Sequence, residues 1–389
     1  MNSSKLKRKV GFLARSPRGI EWVSAGEIKG RFAATIVAVK HREIHFELPT
    51  LNPKVLNLGT VDDVFINCGL IDDIDHTRSS LQRLSEAAKK IDFANAFTRL
   101  QDVRDIEPSD PFDVVCSFLG KRNYNRFEVE EVVGEVVTQQ LGGVQQSHRQ
   151  RTDTDVSWRV HIRDGEAYVG LRVSAEPLHR RKYKVASKAG TLHPPIASAM
   201  ALLSGIQPGG ILLDPFCGLG TIPIEASWIE PELTLFATDI NPSSVELART
   251  NAERAHIEMD FGVADAGQLP FAYRAFDRVV CNLPWGRTVE QAGHLTSDTT
   301  PFWRELGRAL HSEGRAVTLS EADEPTDEQL GKAGLSLVLR QRISVFGRWS
   351  VLSIVVPEAN RNPTPIDEFG RLGSELADSL ARYLAPDES

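Results

Sequence analysis

An α/β fold organised around a doubly wound parallel sheet is expected for the second half of this 389-residue chain. Three observations predict it. The apolar run Gly210-Ile211-Leu212-Leu213 enters a glycine turn, Asp214-Pro215-Phe216-Cys217-Gly218-Leu219-Gly220, which is followed by a helix opening at Thr221. Four successive strand ends each carry a polar residue: Asp214, Asp239, Asp265 and Asn282. Such sheets bind ligands outside the carboxyl ends of their strands. Finally, runs at 335–345 and 350–356 flank Phe346-Gly347-Arg348-Trp349 and read as an antiparallel pair at the sheet's edge.

The elements follow in order. The first strand ends at Asp214, and Gly218 and Gly220 in the turn let the backbone approach a ligand closely. The next strand, 233–238, ends in Asp239, 25 residues after Asp214. An acid about 20 residues past such a turn is placed to accept hydrogen bonds from ribose hydroxyls. Asp265 closes a third strand end, within Gly262-Val263-Ala264-Asp265-Ala266, where it can accept from an adenine amino group. The fourth strand, 276–281, delivers Asn282-Leu283-Pro284-Trp285, 68 residues after Asp214.

This last segment specifies chemistry. The amino group of a nucleobase is a poor nucleophile, because its lone pair is delocalised into the ring. Asn282 Oδ1 and the Leu283 carbonyl can accept its two N–H bonds and fix the nitrogen, with Pro284 stiffening the turn. Trp285 can offer its face to a base swung out of its stack. Alone, Asn-x-Pro is an ordinary turn; the upstream glycine turn and acids make the difference. A dinucleotide dehydrogenase is the main rival, but the turn reads Gly-Leu-Gly-Thr and lacks that fingerprint's third glycine.

These residues resemble the Rossmann-like S-adenosyl-L-methionine-dependent methyltransferases, in the amino-methylating branch whose catalytic loop is of the Asn-Pro-Pro-Tyr type. Two of the four positions depart, with Leu283 for Pro and Trp285 for Tyr or Phe. The first keeps the main-chain carbonyl and the second keeps an aromatic face. The resemblance implies that Asp214, Cys217, Gly218, Gly220 and Thr221 hold the methionine moiety, Asp239 the ribose and Asp265 the adenine. Leu192-His193-Pro194-Pro195-Ile196-Ala197 matches the helix that such enzymes carry before the glycine turn.

Composition suits a globular chain of several domains, with 41% hydrophobic and 25% charged residues. No apolar run reaches the roughly 18 residues needed to span a membrane. The apolar stretch after the basic Lys5–Lys9 segment is too short for a signal peptide. Cys68, Cys116, Cys217 and Cys281 show no paired metal-ligand spacing, so no metal is expected and a reducing, cytoplasmic setting is.

Charge divides the chain. Residues 1–190 hold 30 Lys and Arg against 25 Asp and Glu, and the remainder holds 15 against 27, giving net charges of +5 and −12. Basic residues crowd at Lys121, Arg122 and Arg126, and at Arg180, Arg181, Lys182 and Lys184 around Tyr183. A basic run is often a solvated face, but an aromatic within it points to a phosphate-contacting surface.

In the first half, a short helix around 20–28 precedes strands at 34–39 and 43–48. A helix from about 79 to 99 carries the apolar stripe Leu81, Leu84, Ala88, Ile91 and Phe97. A strand follows at 114–119. Asn125 caps a further helix with Glu128 at the capping-box position, and strands at 156–162 and 167–173 are joined by the Asp164-Gly165 turn. Together with Gln140-Leu141-Gly142-Gly143-Val144, this layout is similar to a THUMP RNA-binding domain behind a ferredoxin-like one. The expected domains are thus 10–75 ferredoxin-like, 76–188 THUMP and 189–357 methyltransferase, with a polar tail at 358–389. The combination resembles the THUMP-containing RNA guanine-N2 methyltransferases, and implies a transfer RNA substrate modified near its acceptor stem. Ribosomal RNA (as in antibiotic self-protection), a DNA adenine or cytosine amine, and a silent RNA-binding role remain open on sequence alone.

Overall fold

The computed structural model describes residues 9–118, 120–146, 154–185, 190–284, 292–296, 298–320 and 324–360. They fall into two compact units, one of residues 9–15 and 28–178 and one of 16–27 and 179–360.

The first unit is a seven-stranded sheet of order β2-β3-β1-β4-β7-β6-β5. Its elements begin with β1 (Val10–Arg15), the last residues of α1 (Glu21–Phe32), β2 (Thr35–Lys40), β3 (Glu43–Leu48) and β4 (Asp63–Ile71). They continue with α2 (Ser79–Ala88), α3 (Phe93–Gln101), β5 (Phe112–Phe118), α4 (Arg126–Leu141), β6 (Val156–Arg163) and β7 (Glu166–Arg172). Every pairing is antiparallel except β5 with β6. The β6–β7 turn has positive φ at Asp164 (51°) and Gly165 (85°), the geometry that Asp-Gly supplies at least cost. Asn125 and Glu128 form a complete capping box at α4.

Three expectations change here. The single helix expected over 79–99 is two, because Asp92 turns to cap α3 through Asn95 N–H at 2.9 Å. Residues 10–75 and 76–172 build one continuous sheet, joined where β4 pairs with β7, so the expected boundary at 75/76 does not divide the strands. Strands β1 and β4, not foreseen in the sequence, occupy its middle.

The second unit contains α5 (Pro194–Ser204), β8 (Ile211–Asp214), α6 (Thr221–Ile229), β9 (Thr234–Asp239), α7 (Pro242–Ala255), β10 (Asp260–Val263) and β11 (Phe276–Asn282). It closes with α8 (Thr300–Ala309), β12 (Leu310–Ser320), α9 (Asp327–Ala333), β13 (Leu335–Val345) and β14 (Arg348–Pro357). Its sheet order is β10-β9-β8-β11-β12-β14-β13, parallel as far as β12 and antiparallel over the last two strands, as expected. The strand order reverses beside β8, whose end carries the glycine turn.

Residues 16–27 belong to this unit although they lie far from it in sequence. Ile20, Trp22 and Val23 are buried in the core formed by α5, β12, β13 and β14. Trp22 Nε1 donates to Gln341 Oε1 at 2.9 Å, and Gln341 Nε2 donates to the Gly19 carbonyl. Gly19 sits at φ 100°, and a Cβ there would lie 2.8 Å from the Arg342 carbonyl. A catalytic fragment cut at residue 190 would therefore lose a core tryptophan and leave apolar surface uncovered.

Candidate functional site

β8 ends in Asp214, buried and at the base of the turn. Its Oδ1 accepts from Phe216 N–H at 3.1 Å. Its Oδ2 is fully buried and has no hydrogen-bond partner. Burial, and secondarily the nearby Asp239 carboxylate, pushes the Asp214 carboxyl well above the ordinary range. An orphaned buried carboxylate oxygen calls for a cationic donor.

The turn is held from several sides. Cys217 N–H donates to the Thr238 carbonyl at 2.9 Å, and Gly218 N–H donates to Asp239 Oδ2 at 3.0 Å. Gly220 has φ 74°, a left-handed conformation that favours glycine, and a Cβ there would press on Ala248 Cβ of α7 at 3.2 Å. Buried Asn251 on α7 donates to the Leu219 carbonyl at 2.9 Å and accepts from Val185 N–H at 3.0 Å. Asp239 Oδ1 meanwhile accepts from Asn241 N–H at 2.9 Å, and Asn241 caps α7.

Asp265 lies just beyond β10. Its Oδ1 accepts from Gly267 N–H at 2.8 Å, and its Oδ2 accepts from His294 main-chain N–H at 2.9 Å and contacts His294 Nδ1 at 2.8 Å. Burial would raise its pKa, but these hydrogen bonds, from His294 first, hold it below the usual carboxylate value. His294 and the neighbouring Gly293 were not foreseen, because a histidine in a loop 29 residues downstream leaves no local signal. At Gly293 a Cβ would fall 2.0 Å from Asp265 Oδ2, so the close approach requires glycine.

β11 delivers Asn282. Asn282 Nδ2 donates to the Gly190 carbonyl at 3.4 Å. Leu283 N–H donates to the Leu319 carbonyl at 2.9 Å, and the Leu283 side chain is buried in the core beneath the sheet edge. Leucine at this position thus fastens the turn from below. Trp285 lies outside the described residues.

A single cavity of about 660 Å³ is lined by Asp214, the Cys217–Gly218 turn, Thr221, Asp239 and Asp265, and it reaches Asn282, Leu283 and Pro284. Gly220 shapes the turn without lining it. Leu192, from the segment singled out before the glycine turn, also lines it, and Thr191, Pro242, Ala292 and Leu295 add walls that the sequence did not indicate.

The basic candidates divide. Lys121, Arg180 and Lys182 are exposed. Arg122 is instead fastened to its own unit, donating to the Ile74 and Asp75 carbonyls at 3.0 and 2.8 Å and to Tyr124 Oη at 2.9 Å. Arg181 forms a two-pronged pair with Glu225, both contacts at 2.9 Å, and Tyr183 Oη donates to the same carboxylate at 3.0 Å. Lys184 is half-buried, with Nζ 3.4 Å from the Leu192 carbonyl. Arg122, Arg181 and Lys184, and the buried Tyr183 ring, are therefore corrected from phosphate contacts to internal ties. In each case main-chain carbonyls, a hydroxyl or a buried carboxylate hold the side chain to its own unit.

Residues 181–351 match the UPF0020 family, described as an RMKL-like methyltransferase domain. This part of the chain is a methyltransferase domain. A tRNA (guanine(6)-N2)-methyltransferase of Thermus thermophilus is 34% identical over 218 residues, covering 56% of this chain and 64% of that enzyme, short of two thirds of its length. An enzyme with the same name from Archaeoglobus fulgidus is 23% identical over 370 residues, 86% of this chain and 88% of its own. The crystal structure of TrmN from Thermus thermophilus shares the fold at a TM-score of 0.71 and 24% identity, over 90% of this chain and 99% of that one.

S-adenosyl-L-methionine fits the cavity of the methyltransferase domain. The orphaned Asp214 oxygen suits an ammonium group, and Asp239 stands beside the turn where ribose hydroxyls would be held. Asp265 Oδ1 accepts one protein N–H and retains acceptor capacity for an amino group. Asp239→Ala should weaken cofactor binding about 10- to 100-fold, through loss of charge-assisted hydrogen bonds worth roughly 1.5–3 kcal/mol. Calorimetry finding wild-type affinity would remove Asp239 from the ribose site. Among the described residues, no group of three or more His, Cys, Asp or Glu could hold a metal ion, and no helix is long and apolar enough to cross a membrane.

Proposed function

We propose that the protein methylates an exocyclic amine of RNA, namely guanine N2 of transfer RNA near the acceptor stem. The observation that carries this reading is that Asn282, Leu283 and Pro284 line the same cavity as Asp214, Asp239 and Asp265. The names of the two relatives support the substrate assignment. When bound, S-adenosyl-L-methionine supplies a methyl group activated by its sulfonium. Asp214, Asp239 and Asp265 orient the methionine, ribose and adenine portions. Asn282 Oδ1 and the Leu283 carbonyl accept the amine's two N–H bonds and hold its lone pair toward the methyl, while Trp285 stacks on the extruded base. No strong base is needed, because the amine becomes acidic as it is methylated and its proton leaves to water.

In this reading residues 76–188 serve as a THUMP module behind a ferredoxin-like segment, and grip RNA with exposed cations such as Lys121. Arg180 and Lys182 add phosphate contacts. The free state of all four cysteines agrees with a cytoplasmic setting. The test is mass spectrometry of nucleosides after incubating the full chain with transfer RNA, ribosomal RNA and labelled S-adenosyl-L-methionine. N2-methylguanosine in transfer RNA is expected. N6-methyladenosine would retain the amine chemistry and overturn the base assignment, and label in ribosomal RNA alone would overturn the choice of substrate.

A further inference from the structure

The β13–β14 hairpin carries a feature that the cavity does not use. Its turn residues Phe346 and Gly347 both have positive φ, 50° and 80°. A turn of this kind ordinarily takes Asn-Gly, and a bulky side chain in the left-handed region is strained. Phe346 is also 76% exposed, so the strain is not repaid by burial. Around it are cations and further rings. The Arg18 guanidinium lies 4.3 Å from the Trp349 ring centroid and that of Arg342 lies 5.2 Å from it. Trp349 is 40% exposed, and Arg342 and Arg348 are exposed beside it. Arg18 is set in place by its main chain, whose carbonyl accepts from Ser344 N–H at 2.9 Å.

The cluster leads toward the cavity. The Phe346 ring is 5.9 Å from that of His193, which in turn is 5.2 Å from His179. His193 stands at the N-terminal boundary of α5 and directly follows Thr191 and Leu192, which line the cavity. Exposed aromatic faces interleaved with arginines are the chemistry that holds unpaired nucleotides, through stacking on the rings and contacts between guanidinium groups and phosphates. A solvated charged face would not need a strained, exposed phenylalanine, and an internal support would bury it.

We propose that the hairpin tip is a stacking platform for an unpaired nucleotide of the RNA substrate, with Phe346 and Trp349 as its faces and Arg18, Arg342 and Arg348 as its cations. This rests on the RNA reading above and adds to it a single-strand subsite beside the cavity mouth. The test uses the full chain with three probes: a transfer RNA transcript, a short unpaired RNA oligonucleotide, and an RNA duplex of the same length. Phe346→Ala should weaken binding of the unpaired oligonucleotide and raise the KM for the transcript, each by roughly 10-fold, while S-adenosyl-L-methionine affinity is unchanged. Phe346→Tyr should restore both, since it keeps the ring. Duplex binding should be nearly indifferent to either change. Wild-type affinity of Phe346→Ala for the unpaired oligonucleotide, or an equal loss on duplex, overturns the platform while the RNA reading stands. Failure of the unsubstituted protein to bind any of the three RNAs overturns both.

Discussion

Asn282→Ala is expected to lower turnover by at least about 100-fold, while S-adenosyl-L-methionine affinity stays near the wild-type value. The asymmetry follows from where the side chain stands. Asn282 closes β11 at the rim of the cavity, whereas the cofactor's polar groups are assigned to Asp214, Asp239 and Asp265. On the proposed reading, removing the amide takes away an acceptor for the target amine and leaves those carboxylates in place. The Leu283 carbonyl survives the change, because the Leu283 amide stays bonded to the Leu319 carbonyl at 2.9 Å. Residual activity should therefore come from one acceptor instead of two. Single-turnover rates together with calorimetry separate the two effects. Near-normal rates would mean that Asn282-Leu283-Pro284 is only a turn, and a matching loss of cofactor affinity would place Asn282 in the cofactor site.

Glu225→Ala should cost about 3–5 kcal/mol of stability, read as a shift of the urea midpoint. Glu225 is 1% exposed on α6. Its carboxylate takes both prongs of Arg181, the Tyr183 hydroxyl and the Ser198 hydroxyl, the last at 2.5 Å. Removing it takes the two-pronged carboxylate away from a guanidinium whose side chain is only 9% exposed. The damage extends beyond stability. Residues 181–185 and α5 are both tied to α6 through this carboxylate, and α6 begins at the glycine turn. Cofactor affinity should fall along with stability. Glu225→Gln, which keeps oxygen and nitrogen partners but not the charge, should lose less on both counts. Unchanged unfolding in Glu225→Ala would show that the buried pair is replaceable by water or repacking.

Much of the site was legible because its signals are local. The spacing of glycines in 218–220, and a polar residue at the end of each apolar strand, are properties of short segments. Asp214, Cys217, Gly218, Thr221, Asp239, Asp265, Asn282, Leu283 and Pro284 accordingly meet in one cavity. The basic clusters were misleading for a different reason. Arg122, Arg181 and Lys184 look like their exposed neighbours in sequence, and only the positions of carbonyls and of Glu225 reveal them as internal ties. Helix 79–99 split because a single Asp92 side chain had the choice of continuing a helix or capping a new one, and periodicity does not register that competition.

The sequence by itself determined the parallel sheet, the order of its polar strand ends, and the position of the Asn282 turn at the cavity. Each depends on apolar periodicity and on residues a few positions apart, so the information is contained in the segment that uses it. Only the tertiary structure decided that residues 16–27 complete the core of the methyltransferase unit, that the first half builds one continuous sheet, and that His294 braces Asp265. It also decided that Phe346 stands exposed beside His193. These are encounters between residues tens to hundreds of positions apart. They are set by burial of apolar surface and by pairing of buried polar groups, neither of which leaves a mark at any one place in the chain.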